Sequence, residues 1–294
     1  MKTFCTKSII AIVLCLFVLG EAAGGIQLAS AEAPAIADAS QMTTVEEVVE
    51  EGMTPVPLAN LLDGDYPVEV KSSSSMFRIV DAVLHVESEN GMELTMTMSG
   101  KGYLYVYPGT ALEAATGNET DWVPYVEDMD GSYTFTIPVE ELDVGFPCAA
   151  FSKNKELWYD RMLLVRADSL PMEAFHEGFF VTAKTMNLKD GSYICNVMLT
   201  GGSGRASITS PARLKVSDGA CEAIIIWSSK NYDYMKVGDE QIMPLPDTET
   251  STFRIPVRFF DRPMAVIADT VAMSEPHEIS YSLRFDSESI EALS

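Results

Sequence analysis

The sequence predicts an all-β fold: two tandem antiparallel β-sandwiches behind a leader and a short linker. Three observations carry that expectation. From Asp63 onward, short runs rich in Val, Ile, Thr, Phe and Tyr alternate with polar residues and are bounded by Gly, Asp, Asn and Ser, the pattern of strands with one buried face. Helical periodicity is scarce. Third, one series of phrases occurs twice in the same order. "DGDYPVEV" (Asp63 to Val70) returns as "DGSYICNV" (Asp190 to Val197), and "AVLHV" (Ala82 to Val86) as "ARLKV" (Ala212 to Val216). "SGKGYLYV" (Ser99 to Val106) returns as "SSKNYDYM" (Ser228 to Met235), and "YTFTIPVEELD" (Tyr133 to Asp143) as "STFRIPVRFFD" (Ser251 to Asp261). From there the two halves are expected to run without a gap to Asp168-Ser169 and Asp286-Ser287, which makes the repeat an internal duplication of about 105 residues.

Each element follows in order. Residues 1–31 read as a secretory signal peptide: Lys2 and Lys7, the apolar core "SIIAIVLCLFVLG", then small residues at Ala29-Ser30-Ala31 with cleavage after Ala31. Residues 32–59 read as an acidic, proline-broken linker, in which "TTVEEVVEEG" makes a helical turn or two and "MTPVPLAN" ends it. The first repeat spans 60–170, with "TALEAATG" (Thr110 to Gly117) as its one short helix and "VEELD" near Glu140 as a single turn between strands. The stretch "SLPMEAFHEGFFVTAK" (Ser169 to Lys184) marks the connection between the repeats, set at residues 171–186. The second repeat spans 187–290, with strands expected near Tyr193–Leu199, Ala206–Thr209, Ala212–Val216, Glu222–Trp227, Tyr232–Val237, Thr252–Val257, Ala265–Val271 and Ile279–Phe285. That length and strand count fit an immunoglobulin-like sandwich. Inward alternation places Leu84 with Leu214, and Ile137 with Ile255, in equivalent core positions. Tyr103 and Tyr105, like Tyr232 and Tyr234, stand at alternate positions and are expected to share a sheet face.

Composition narrows the function. The chain has 294 residues, 47% hydrophobic and 21% charged, enough for two real cores. Its net charge is −23, and removing Lys2, Lys7 and Glu21 with the leader leaves −24. Nucleic acid and anionic lipid need basic surfaces, so neither is an expected partner. No later apolar run is long enough to span a membrane, and the chain is expected to be secreted, extracellular or associated with the cell envelope. Export leaves Cys148, Cys195 and Cys221. Their odd number rules out full pairing within one molecule, and their apolar, strand-like contexts suit buried single thiols, with one disulfide among the three left open. No spacing among them makes a zinc site. Nor does the chain read as an enzyme: its three histidines, His85, His176 and His277, fall in a strand, the connection and a hairpin, and no Gly-x-Ser-x-Gly or His-Glu-x-x-His occurs.

The order of phrases in the second repeat resembles the NEAT (near-iron-transporter) domain of secreted and surface proteins in Gram-positive bacteria. "DGSY" resembles its opening strand, "SPARLKVSDGACEAIIIWSSKNYDYMKV" its central hairpin, and "STFRIPVRFFDRPMAVIADTVAM" with "HEISYSLRFD" its last three strands. The first repeat adds "SSSSMF" (Ser72 to Phe77), where the family places a short lip helix over its ligand. The resemblance covers most of residues 60–290. It implies capture of haem for iron uptake, with iron held by the first tyrosine of a Tyr-x-x-x-Tyr pair near the end of the penultimate strand, and haem or a haem-carrying protein as partner. Neither repeat has that pair. "ELWYDRMLLV" offers Tyr159 as the metal ligand of the first repeat, and "EPHEISYSL" offers His277, with Tyr281 four residues on, in the second. The lip residues Ser75, Met76 and Phe77 complete the candidate haem-binding set, and the first repeat is the expected binder because "GGSGRAS" (Gly201 to Ser207) replaces the lip in the second. Two other readings stand beside it: an adhesion or scaffold module that binds protein or carbohydrate without haem, and a duplication with no small ligand.

Overall fold

The two repeated phrases "AVLHV" and "ARLKV" lie in strands Ile79–Glu87 and Ala212–Ser217, and both bury every second residue. The computed structural model describes residues 35–38, 48–272 and 276–293. The expected leader with its cleavage site, and the start of the acidic helical turn, lie outside the described residues. The described chain is all-β, built of antiparallel sheets with one short α-helix. Among the described residues no helix is long and apolar enough to cross a membrane.

In the first half, Gly64–Pro67, Ile79–Glu87, Gly91–Met98, Tyr133–Val139 and Val126–Glu127 pair in that order. The register aligns Tyr66, Leu84, Leu94 and Ile137 in one row across four strands. In the second half, Gly191–Cys195, Ala212–Ser217, Ala220–Ile226 and Thr252–Pro256 pair in the same order, and the row reads Tyr193, Leu214, Ala223, Ile255. Leu84, Leu214, Ile137 and Ile255 are all buried, as the alternation requires. The second sheet of the second half runs Val197–Gly201, His277–Phe285, Met264–Thr270, Tyr232–Val237, Glu240–Ile242. Its first-half counterpart is split in two: Val70–Ser72 with Met162–Val165 and Phe146–Pro147, then Trp158–Tyr159, Ala149–Ser152, Tyr103–Tyr107 and Val123–Pro124. Read through the breaks at Cys148 and at Asp160–Arg161, the pairing order is again the same.

Three local details depart from the sequence reading. The alternate tyrosines do not share a face. A bulge sits between Tyr103 and Tyr105, and another between Tyr232 and Tyr234. One extra residue in a strand reverses the side-chain parity beyond it, so Tyr103 joins the inner core while Tyr105 and Tyr107 join an outer cluster. The halves also do not run gap-free to the end. Phe146 pairs with Leu163 and Met264 with Leu283, so the second half carries two more residues in its last hairpin. Asp143 and Asp261 mark the shared point before it. Each has a left-handed backbone (φ 58° and 67°), and each Oδ1 accepts from a backbone N–H, of Ala167 at 2.9 Å and of Ser287 at 2.8 Å. Third, "VEELD" is not a helical turn: Glu141–Leu142 pairs antiparallel with Val56–Pro57.

The connection 171–186 is packed rather than free. Phe175 and Phe180 are buried, with Phe180 stacked on Phe259 at 4.7 Å and edge-on to Phe175 at 4.7 Å. Phe175 bridges to Leu61 and Val181 to Phe260, so this aromatic wedge touches both halves, and one continuous hydrophobic core runs through them. Each buried Phe contributes roughly 1.5–3 kcal/mol over exposure. A charge cluster adds to the joint. Arg166, 1% exposed, donates from Nε and Nη2 to the two Asp168 oxygens (2.8 and 2.9 Å), from Nη1 to Glu50 (2.8 Å) and from Nη2 to Ser282 (3.2 Å). Lys71 and Ser282 also bond Glu50, and the Ala265 N–H donates to Asp168. The segment read as a linker therefore supplies, through Glu50, one of the acids of this cluster.

Candidate functional site

The lip and the last hairpin of the first half meet at one place. After Val70–Ser72 the chain turns through Ser74–Phe77, closed by Phe77 N–H on the Ser74 carbonyl at 3.1 Å, a single turn in place of the expected short helix. Ser73 ties its base to the hairpin: its N–H donates to the Met162 carbonyl, and its hydroxyl accepts from the Met162 N–H, both at 2.9 Å. Phe77 is fully buried and meets Tyr103 edge-on at 5.3 Å, whereas Ser75 is exposed and Met76 is 68% exposed. Phe77 is thus a core anchor for the lip and does not lie over an open face. Tyr159 is half-buried, paired with Ala150 across the hairpin.

Between these groups lies a residue that the sequence reading passed over. Arg161 is 5% exposed. Its Nη1 donates to the Asp160 carbonyl at 2.6 Å and its Nη2 to the Tyr103 hydroxyl at 3.3 Å, and its guanidinium sits 5.1 Å from the Tyr159 ring centre. Its Nε has no hydrogen-bond partner, and among the described residues no carboxylate forms an ion pair with it. Strand parity was a usable signal: Arg161 stands two and four residues before Leu163 and Val165, which face the core.

The second half closes the corresponding place. With the two extra residues counted, Tyr159 matches Ile279, and Arg161 matches Tyr281, where the gap-free reading had matched Tyr159 with His277. Tyr281 is 4% exposed and its hydroxyl lies 3.1 Å from that of Tyr232, the counterpart of Tyr103. Trp227 packs on both, at 4.2 and 5.1 Å. Burial, then the bond to Tyr232, pushes the Tyr281 phenol well above the usual tyrosine range. Gly202, in the segment that replaces the lip, has φ 58° and packs so closely that a Cβ there would fall 2.6 Å from the Tyr281 ring. His277 is exposed at the start of its strand. A phenolate ligand to ferric iron therefore does not suit this half.

The outer faces diverge as well. In the first half the helix Ala111–Thr116, opened by a capping box between Thr110 and Glu113, covers Trp158 with Ala111 and Ala114. Tyr105, Tyr107, Trp122 and Phe151 pack around it, half-buried. Residues 35–37 add a parallel bridge to this edge, with Ala37 N–H on the Trp158 carbonyl at 2.9 Å and Trp158 N–H on the Ala35 carbonyl at 2.7 Å. In the second half the matching positions are polar: Tyr234 donates to Glu278 at 2.6 Å, and Asp269 replaces Phe151.

Other chemistry is quiet. Cys148, Cys195 and Cys221 are free and buried. Burial pushes the Cys148 and Cys221 thiols up to about 12 and raises that of Cys195, so none is a thiolate at neutral pH. His85 is held between Asp65 (2.7 Å) and Thr95 (3.0 Å) on the outer face of its sheet. Among the described residues no three His, Cys, Asp or Glu side chains are grouped to hold a metal ion. A groove of about 840 Å³, lined by Val48, Val49, Met53, Pro55, Val144 and Met162 among others, includes the neighbour of Arg161 that alternation turns the other way. In comparisons with known proteins, no family model matches the chain and no curated protein matches it.

Proposed function

We propose that the chain is an exported binding protein made of two NEAT-like, immunoglobulin-like sandwiches, whose first half captures haem for iron uptake and whose second half is its scaffold. The recurrent pairing order, the recurrent core row and the recurrent bulge support two copies of one sandwich. The observation that carries the ligand reading is the meeting of lip and hairpin around Tyr159 and Arg161 in the first half, against the sealed Tyr232–Tyr281 pair in the second. The first-half residues fit haem chemically. Tyr159 offers a phenolate oxygen, a ligand type suited to ferric iron. Met76 offers an exposed apolar cover for the porphyrin face, where burial supplies most of the affinity. The Ser75 hydroxyl stands on the same lip for a propionate.

The test is a titration of the full chain with hemin. A Soret band distinct from that of free hemin, lost in Tyr159→Phe, is expected. A spectrum that stays that of free hemin overturns the reading; binding unchanged in Tyr159→Phe overturns only the choice of iron ligand. The alternative, an adhesion or scaffold module for protein or carbohydrate without haem, draws support from the half-buried rings of Tyr105, Tyr107, Trp122 and Phe151, because flat rings suit stacking on sugars. It predicts glycan or protein binding with no Soret change.

A further inference from the structure

We infer that Arg161 is the docking point for a carboxylate of the captured ligand, which makes that ligand an organic acid on a flat apolar ring system; this rests on the reading of the first half as the binding half. A guanidinium taken out of water is stable only when its charge is compensated. The chain's other deeply buried arginine obeys that rule: Arg166 has Asp168 and Glu50. Arg161, also buried, has a backbone carbonyl, a tyrosine hydroxyl and an unpaired Nε. Carboxylates are not scarce, since the chain has 43 acidic residues against 20 Lys and Arg, yet among the described residues none pairs with this one.

The fold does not demand a cation here either. The second half puts Tyr281 at the same register position, neutral and satisfied by Tyr232. What surrounds Arg161 sets the rest of the ligand. Tyr159 lies under the guanidinium and Tyr103 meets Phe77 edge-on, so the walls are aromatic and favour a planar apolar body. The free Nε and the neighbouring Nη2 form one side of the guanidinium fork. A carboxylate approaching that side is held by two parallel bonds once the Tyr103 hydroxyl turns away. Entry lifts the lip turn, in which Ser75 and Met76 are exposed, while Ser73 holds its base to Met162. Cationic ligands and neutral sugars gain nothing from this arrangement.

The experiment uses the full chain and three probes: protoporphyrin IX, which is metal-free, its dimethyl ester, and 1-naphthoate. Porphyrin binding is followed by fluorescence, and naphthoate binding by the shift in melting temperature. Wild type is expected to bind the acid about tenfold or more tightly than the ester, the scale of a charge-assisted bond. Arg161→Met is expected to bind acid and ester alike. Without ligand it is expected to melt above wild type, because methionine removes an uncompensated charge; a purely structural arginine would make it melt lower. Equal binding of acid and ester by wild type, or discrimination kept in Arg161→Met, overturns the inference and leaves porphyrin capture standing. If no porphyrin binds but naphthoate raises the melting temperature of wild type and not of Arg161→Met, the haem reading fails and the inference holds. If neither porphyrin nor naphthoate binds, the inference is overturned as well.

Discussion

Arg166→Met tests what joins the two halves. The side chain is 1% exposed, and methionine keeps its hydrocarbon stem while deleting four donor bonds: two to Asp168, one to Glu50 and one to Ser282. Glu50 keeps Lys71 and Ser282, so it stays compensated. Asp168 keeps the Ala265 N–H and loses its only ion-pair partner among the described residues. Leaving a buried charge without its partner costs about 3–5 kcal/mol, and the surviving bonds place this variant near the lower figure, about 3 kcal/mol. For a chain of this size that is a fall of about 6–12 °C in melting temperature. Arg166→Met/Asp168→Leu should recover much of the loss, since replacing both members of a buried pair by apolar groups is close to neutral. Denaturant unfolding followed by tryptophan fluorescence reads both halves, through Trp122 and Trp158 in the first and Trp227 in the second. A loss below about 1 kcal/mol, the size of a solvated surface pair, would refute the assignment of Arg166 to a desolvated joint.

Three further outcomes follow from named contacts. Burial pushes the Asp143 carboxyl up to about 6 from 3.8, so the folded state holds its proton more tightly than the unfolded chain does. Its contribution is greatest below about pH 4 and is lost as the pH rises to 6, about 3 kcal/mol in all, and Asp143→Asn should flatten that part of the stability–pH curve; an unchanged slope contradicts it. Phe180→Ala removes a buried ring stacked on Phe259 and should cost about 3–5 kcal/mol while exposing residues 171–186 to limited proteolysis; resistance equal to wild type would mean that the wedge does not hold the halves. Cys148→Val should cost less than about 1.5 kcal/mol, because the thiol is a free core group and the second half has the buried Val266 in its place. Failure of this variant to fold would show that the cysteine has another role.

The strands were legible where alternation was regular. Leu84, Leu214, Ile137 and Ile255 fall into the core as their phrases require, because a one-residue slip would turn each strand's apolar set outward. The helix at Ala111–Thr116 was legible from Thr110 and Glu113, whose spacing is that of a capping box. The bulges were not: Tyr-x-Tyr looks like plain alternation, and only the pairing partner shows that Leu104 and Asp233 are extra residues. The longer second hairpin was hidden for a related reason, since counting from Asp143 to Asp168 and from Asp261 to Asp286 gives equal lengths although the pairing differs by two. The connection's burial was foreshadowed by Phe175, Phe179 and Phe180, an unusual load of rings for a free linker. Arg161 is no iron ligand and belongs to no ligand motif; what sets it apart is burial without a counter-ion among the described residues, which only the packed structure shows.

If the first half is the binding half, ligand capture belongs to its lip and last hairpin. Hydrogen–deuterium exchange of the full chain, with and without hemin, locates the ligand without altering a residue. Slowed exchange at residues 73–78 and 157–162, with no change at 200–204 and 277–282, is the predicted result. Protection confined to the second half, or none in either, would contradict capture by the first half.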